Sequence, residues 1–250
     1  MNLSRLTFAF MLIPTLTWAD INDDGLPTKQ PFTGLYAQVG GGAQSFSLKS
    51  SMEADPSTVT NPSVTQSQSQ TGADWALTAG YRFNLAKKLL MGVGVLGEIA
   101  PNKLNQSFDF TISPSFGGSD DYEITSTFSH SYSISPFVEF AYAGSKNLVS
   151  VFAGSNFTQM TTNVNFLLDG SVIPQTEPGT FTNLQTGVVL GSTVEHLITP
   201  SFGLFLRGMY TYFPDFVIAN VDSTGGNIIN TTTIGAHTYT AQLGLEITFG

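Results

Sequence analysis

Six charged residues stand where the surrounding sequence alternates between apolar and polar side chains: Asp74, Arg82, Glu98, Glu139, Arg207 and Glu246. Each falls on the polar phase of its segment. Two guanidinium groups among four carboxylates support two kinds of chemistry. They can pair into a buried ionic network, because a narrow interior penalises any charge left alone. They can also line and gate a path for small ions. The paired network is the main expectation, with Arg207 set against Glu246. His130, in Phe128-Ser129-His130-Ser131-Tyr132, is the one candidate for hydrolytic chemistry. A His–Ser pair on one face of a strand needs the two residues two apart. The residue two after His130 is Tyr132, so the pair is not formed.

Other sites are excluded more simply. The chain has no cysteine, hence no disulfide framework and no thiolate metal site. Gly40-Gly41-Gly42 lacks the Lys-Ser/Thr and the helix of a phosphate loop. No nucleotide, haem or zinc motif is present, and no cofactor is expected. A formal net charge of −9 argues against nucleic acid as a partner. Acids outnumber lysines in the long polar connections, most densely at Asp120-Asp121-Tyr122-Glu123. Their spacing is not that of a calcium loop, so they read as a solvated acidic face.

The elements that hold the charges are strands. The last is the clearest: in residues 239–249, Tyr, Ala, Leu, Leu, Ile and Phe alternate with Thr, Gln, Gly, Glu and Thr. Seven earlier segments share this period of two: 34–46, 73–83, 89–100, 129–142, 148–158, 182–194 and 201–213. Each is close to the ~9–11 residues of a tilted membrane strand. Phe137 and Phe205 break the pattern by falling on the polar face. Pro136 cannot donate to a ladder, so it is expected at a bulge or strand start.

The connections alternate in length. Residues 84–88, 143–147 and 195–200 are short; residues 47–72, 101–128, 159–181 and 214–237 are long and rich in Ser, Thr, Asn, Gly and Pro. Short turns at one end and long loops at the other are the pattern of outer-membrane barrels. Residues 1–19 read as an export signal: Arg5, an apolar run, then Thr17-Trp18-Ala19 before the cut. Residues 20–32 follow as a short periplasmic segment, and 33–250 as the barrel. Only 11% of the chain is charged, which suits an outer surface in contact with lipid. The fold expected is all-β, an eight-stranded antiparallel transmembrane β-barrel. Aromatics near strand ends form two girdles: Trp75, Tyr132, Tyr210, Tyr212 and Tyr239 outside, and Tyr81, Phe83, Tyr142 and Phe249 inside. Arg82, Glu98, Glu139, Arg207 and Glu246 then form a charge network in the lumen.

The chain resembles the OmpA-like and opacity-type family of small outer-membrane barrels, of the bacterial surface-antigen kind. The resemblance is carried by residues 34–40 (GLYAQVG), 79–83 (AGYRF) and 135–138 (SPFV), and most specifically by the end of the chain. There Gln242, Gly244, Ile247 and Phe249 are similar to the family's assembly signal, although Gly250 follows the aromatic. The resemblance implies the outer membrane of a Gram-negative bacterium, outer-membrane lipid and the barrel assembly machinery as partners, and extracellular loops. It implies a non-enzymatic surface protein whose loops meet a host or environmental ligand, an adhesin or surface antigen. A narrow channel for small solutes is the alternative. A lipid-modifying enzyme comes third, since the His130 segment is comparable with outer-membrane lipid A deacylases.

Overall fold

The computed structural model describes residues 31–54, 63–112, 120–168, 171–172, 179–221 and 228–249. The expected export signal and nearly all of 20–32 lie outside the described residues. The strands are β1 (Gly34–Ala54), β2 (Ser63–Ala86), β3 (Leu89–Ile112), β4 (Asp120–Ala143), β5 (Asn147–Leu168), β6 (Ser171–Val172), β7 (Gly179–Thr199), β8 (Phe202–Val221) and β9 (Ile228–Phe249). β6 is a two-residue stub on the end of β5. The other eight run antiparallel to their neighbours, and β9 returns to β1 in an unbroken ladder from Leu35↔Phe249 to Ala54↔Asn230. That last ladder closes the ring.

Alternation decides which side faces what. Leu35, Val39, Leu77, Val93, Leu206 and Leu243 point outward and are exposed; Gln38, Thr78, Ser135, Thr193 and Gln242 point inward and are buried. An apolar exterior around a closed ladder is stable in hydrocarbon, where every backbone N–H and C=O must find its partner within the protein. The molecule is a transmembrane β-barrel of the outer-membrane type. Trp75, Tyr132, Tyr212 and Tyr239 stand on the exterior toward the loop end, and Tyr81, Phe83, Tyr142 and Phe249 toward the turn end.

The strands are longer than the alternation shows. At roughly 3.3 Å per residue and a tilt of roughly 40°, 22 residues such as β9 rise about 55 Å, twice the ~25 Å apolar band. They run far into the segments expected as loops, and β7 continues to Thr199 through residues expected as a turn. Pro136 lies mid-strand, at neither a bulge nor a strand start. The β4–β5 ladder passes over it, from Ile134↔Phe157 to Phe137↔Gly154. Asn156 spans the gap by donating to the Ser135 hydroxyl at 2.8 Å.

Beyond the loop-end girdle the ring divides. The β2–β3 ladder stops at Trp75↔Ile99, and the β7–β8 ladder at Val188↔Tyr212. Above these points one strand of each pair carries a bulge with a proline: Pro101 in the shift between Ile99 and Asn102, and Pro214 in the shift between Phe213 and Phe216. Proline lacks the donor and a bulge bends the strand, so both ladders end there. Two four-stranded sheets remain, β3-β4-β5-β7 and β8-β9-β1-β2. They face each other through a buried cluster of Phe46, Leu48, Phe213, Ile234 and Ala236 from one sheet and Leu104, Phe128 and Met160 from the other.

The turn end is sealed. Phe32 is wholly buried with Leu90, Ala141, Ala143, Leu148 and Leu197. Gly34, with φ of 111°, lets the chain swing from that plug into β1.

These phases make a testable distinction. Leu206 and Leu243 oppose each other at mid-height on the outer face. Leu206→Arg and Leu243→Arg should each cost about 2–4 kcal/mol in urea-driven unfolding from lipid vesicles. Ser201→Arg, in a turn, should cost under about 0.5 kcal/mol. Equal costs at the three positions would mean that the outward face is misassigned.

Candidate functional site: the charged lumen

Arg82 is 1% exposed and meets three carboxylates. Its Nε donates to Glu139 at 2.9 Å, its Nη2 to Glu195 at 2.5 Å and its Nη1 to Glu246 at 3.2 Å. The guanidinium also lies 4.0 Å from the centre of the Tyr36 ring. β2 supplies the cation and β4, β7 and β9 the anions, so one side chain ties together four strands spread around the ring. Thr248 donates to Glu246 at 3.0 Å and the Tyr36 hydroxyl to Glu139 at 3.3 Å.

Gln38 joins this cluster to the second guanidinium. Its Nε2 donates to Glu195 at 2.9 Å and to Glu246 at 2.6 Å, while its Oε1 accepts from Arg207 Nη2. The amide orientation is forced: flipped, its oxygen would face two carboxylates and its NH₂ a guanidinium. Arg207 donates as well to Thr78 at 2.9 Å and Thr193 at 3.4 Å, and its Cζ lies 4.9 Å from the Phe205 ring. The expected Arg207–Glu246 pair is not formed. In the β8–β9 register Arg207 opposes Gln242, while Glu246 opposes Gly203 and turns to Arg82.

Nearer the loop end, Gln242 Nε2 donates to Asp74 at 2.5 Å and, at 3.5 Å, to Glu98, which also accepts from Ser133 at 3.1 Å. Asn102 donates to Gln44 at 2.9 Å. Of the charges named from the sequence, Arg82, Glu139 and Glu246 come together; Arg207 and Glu98 stand apart from them. Glu195 was assigned to a turn by sequence and is a member of the cluster. The alternation of Thr193, Glu195 and Leu197 with Val194, His196 and Ile198 was the signal that β7 continues.

The two phenylalanines that broke the sequence pattern fill the lumen. Phe205 sits over Gly40, where an added Cβ would lie 2.7 Å from its ring, and Phe137 over Gly94, where the distance would be 2.6 Å. With Leu96, Phe152, Val189 and Met209, Phe137 forms an apolar layer in the lumen. His130 points inward, buried, with its ring 5.8 Å from Phe46. It is not on the lipid face, so the comparison with a lipid-facing catalytic pair does not hold for this side chain. Among the assembly-signal positions, Gln242 is luminal, Gly244 packs under Phe205, and Ile247 and Phe249 face outward.

Comparison with protein-family models gives no match, and comparison with curated protein sequences gives none. Solved structures do match. Neisserial surface protein A is 16% identical, over 87% of this chain and 98% of that one, with a TM-score of 0.38. Ail, the attachment invasion locus protein of Yersinia pestis, solved with the heparin analogue sucrose octasulfate, is 11% identical over 86% and 100%, with a TM-score of 0.35. The outer membrane protein OprG of Pseudomonas aeruginosa is 11% identical over 87% and 97%, with a TM-score of 0.44. The chain is similar to these small barrels in fold; the barrel itself rests on the ladders described above.

The cluster predicts a pattern of couplings. Arg82→Ala leaves three buried carboxylates without their cation and should cost about 3–5 kcal/mol. Combined with Glu246→Ala it should depart from additivity by about 0.5–3 kcal/mol, whereas Arg207→Ala with Glu246→Ala should add more nearly. Unfolding from lipid measures both cycles. The reverse ranking would assign Glu246 to Arg207.

Proposed function

We propose that the protein is a non-enzymatic surface protein of the bacterial outer membrane, a rigid barrel that presents its long-loop end outside the cell for adhesion or surface interaction. The observation that carries this reading is the filling of the lumen. The Phe32 plug, the Arg82 cluster, the apolar layer and the cluster between the two sheets follow one another along the axis. Side chains occupy the space a solute would cross, as befits an eight-stranded ring. Meanwhile the strands continue well past the apolar band, building structure where a partner can reach it.

A narrow channel is the second reading. It is favoured by the polar, charged side chains at mid-lumen, which would pass ions if Arg82 and Gln38 moved aside. Outer-membrane lipid and the barrel assembly machinery are the partners the reading requires, the latter through Gln242, Gly244, Ile247 and Phe249.

Three measurements test the proposal. Cell fractionation should recover the protein in the outer membrane, with heat-modifiable migration on gels. Bacteria expressing it should adhere several-fold better to cultured epithelial cells or immobilised matrix protein. Replacing residues 55–62, 113–119 and 222–227 by short Gly-Ser turns should abolish that gain. In planar bilayers the purified protein should show no steady conductance. Steady single-channel currents without any gain in adhesion would favour the channel.

A further inference from the structure

Among the described residues the lumen buries five carboxylates, Asp74, Glu98, Glu139, Glu195 and Glu246, and two guanidinium groups, Arg82 and Arg207. Arg82 takes three of the acids. Arg207 takes none, since its donors go to Gln38, Thr78 and Thr193. Asp74 and Glu98 are left, 0% and 3% exposed, and neither forms an ion pair with Arg82, Arg207 or His130. Two ionised carboxylates in such a place need a positive charge.

What lies between them is the amide of Gln242, itself 1% exposed. Its Nε2 donates to Asp74 at 2.5 Å and to Glu98 at 3.5 Å, but it is neutral and cannot balance two acids. Its Oε1 has no hydrogen-bond partner, and neither has Asp74 Oδ1. The cluster therefore gathers more buried oxygen acceptors than donors, with Ser133 Oγ beside it at 3.1 Å from Glu98.

The place of the cluster in the fold is equally specific. The β2–β3 ladder ends at Trp75↔Ile99. Asp74 is the next residue of β2 beyond that rung, and Glu98 is the residue of β3 just before it. The acids thus flank the fork at which the ring divides into two sheets. Asn102 crosses the fork above them, lying over Gly72 and donating to Gln44 at 2.9 Å. A small ion from the water beyond the girdle meets the acids one side chain inside the fork.

We propose that Asp74, Glu98 and the Gln242 carbonyl form a calcium site that pins the β2–β3 fork, joining β2 and β9 of one sheet to β3 of the other. Only oxygen ligands are offered, which suits a hard cation, and two carboxylates balance a divalent one. A cation standing where Gln242 Nε2 stands would be 2.5 Å from Asp74, a calcium–oxygen distance, and would draw Glu98 in by about 1 Å. The amide, turned over and drawn back, presents Oε1 to the ion. Calcium tolerates such an irregular set, whereas magnesium demands a near-ideal octahedron.

Terbium, a luminescent substitute for calcium, tests the site on the full barrel in phosphatidylcholine nanodiscs. Trp75 follows Asp74 in β2, and the other tryptophan, Trp18, lies in the expected export signal. Bound terbium should emit when Trp75 is excited, and calcium should displace it with half-effect at about 0.1–1 mM, the range of weak modules. Trp75→Phe should lose the emission and keep calcium binding in titration calorimetry. Asp74→Asn and Glu98→Gln should each lose both.

Stability gives a second reading. In chelator, Asp74→Asn and Glu98→Gln should unfold at the same temperature as the unsubstituted barrel or higher, because each removes an unbalanced buried charge. In about 5 mM calcium the unsubstituted barrel should gain and the variants should not, so the ranking reverses. Emission that persists in both carboxylate variants would put the ion on surface acids such as Asp215. Variants less stable in chelator would make the two acids hydrogen-bonding partners only. Absence of any calcium effect near neutral pH would leave the acids neutralised by protons. Each of these results overturns the proposal.

Discussion

A backbone group in hydrocarbon has no water to turn to, and this constraint organises the molecule. It forces β9 back onto β1 and keeps all eight strand pairs in register between the two aromatic girdles, with Asn156 and Ser135 spanning the gap beside Pro136. It also explains where order relaxes. Past Trp75, Ile99, Val188 and Tyr212 the strands leave the apolar band, water can satisfy an open edge, and the ring is free to divide. Pro101 and Pro214 sit at those two exits. The same prolines lower in the band, facing these ladders, would leave carbonyl acceptors without donors in lipid. The division is therefore a consequence of the boundary between two solvents, written into the chain by two residues.

Closing eight strands also creates an interior too narrow for bulk water and too wide to be empty. The lumen is filled by matching volumes across the ring. Phe205 and Phe137 lie over Gly40 and Gly94, and Phe152 over Gly191, where an added Cβ would come within 2.3 Å of its ring. The charges obey a different rule. One guanidinium cannot balance three carboxylates, so Arg82 is supplemented by donors that carry no charge: Gln38, Tyr36 and Thr248. Gln38 has a further role, because its two ends hold both ionic centres in register. The resulting network spans β1, β2, β4, β7, β8 and β9, so no member can move without disturbing several ladders. Such coupling suits a scaffold more than a gate.

Much of this was legible in the sequence, and the failures have physical causes. Inward and outward phases of all eight strands follow from the period of two, because one side meets lipid and the other a polar lumen. The strand ends were not legible. Residues 65–71 read Thr-Gln-Ser-Gln-Ser-Gln-Thr, polar on both phases, since above the membrane both faces of the strand can meet water. A strand wet on both sides has no hydrophobic alternation to detect. Glu195 was lost for a related reason: it lies within five residues of the Pro200 turn, where the segment looks polar. Arg207 was matched with Glu246 because adjacency was known and register was not. A shift of four residues along β9 exchanges Glu246 for Gln242, and only the ladder decides between them.

The two ends of the barrel are built to different standards of rigidity. At the turn end, Phe32 plugs the mouth, and short turns are cross-tied by Ala143 N–H to Lys88 O at 2.9 Å and Leu197 N–H to Lys146 O at 2.8 Å. The Arg82 cluster lies just above. At the loop end the ring has become two sheets held by one apolar cluster, with edges facing water. There the two sheets lose the two ladders that joined them and meet mainly through packing between faces, which is less directional than a hydrogen-bonded strand pair. Rigidity at the turn end and open hydrogen-bonding capacity at the loop end is the polarity expected of a surface-binding scaffold. A uniform pore would need the opposite, an unobstructed lumen and a ring closed along its whole length.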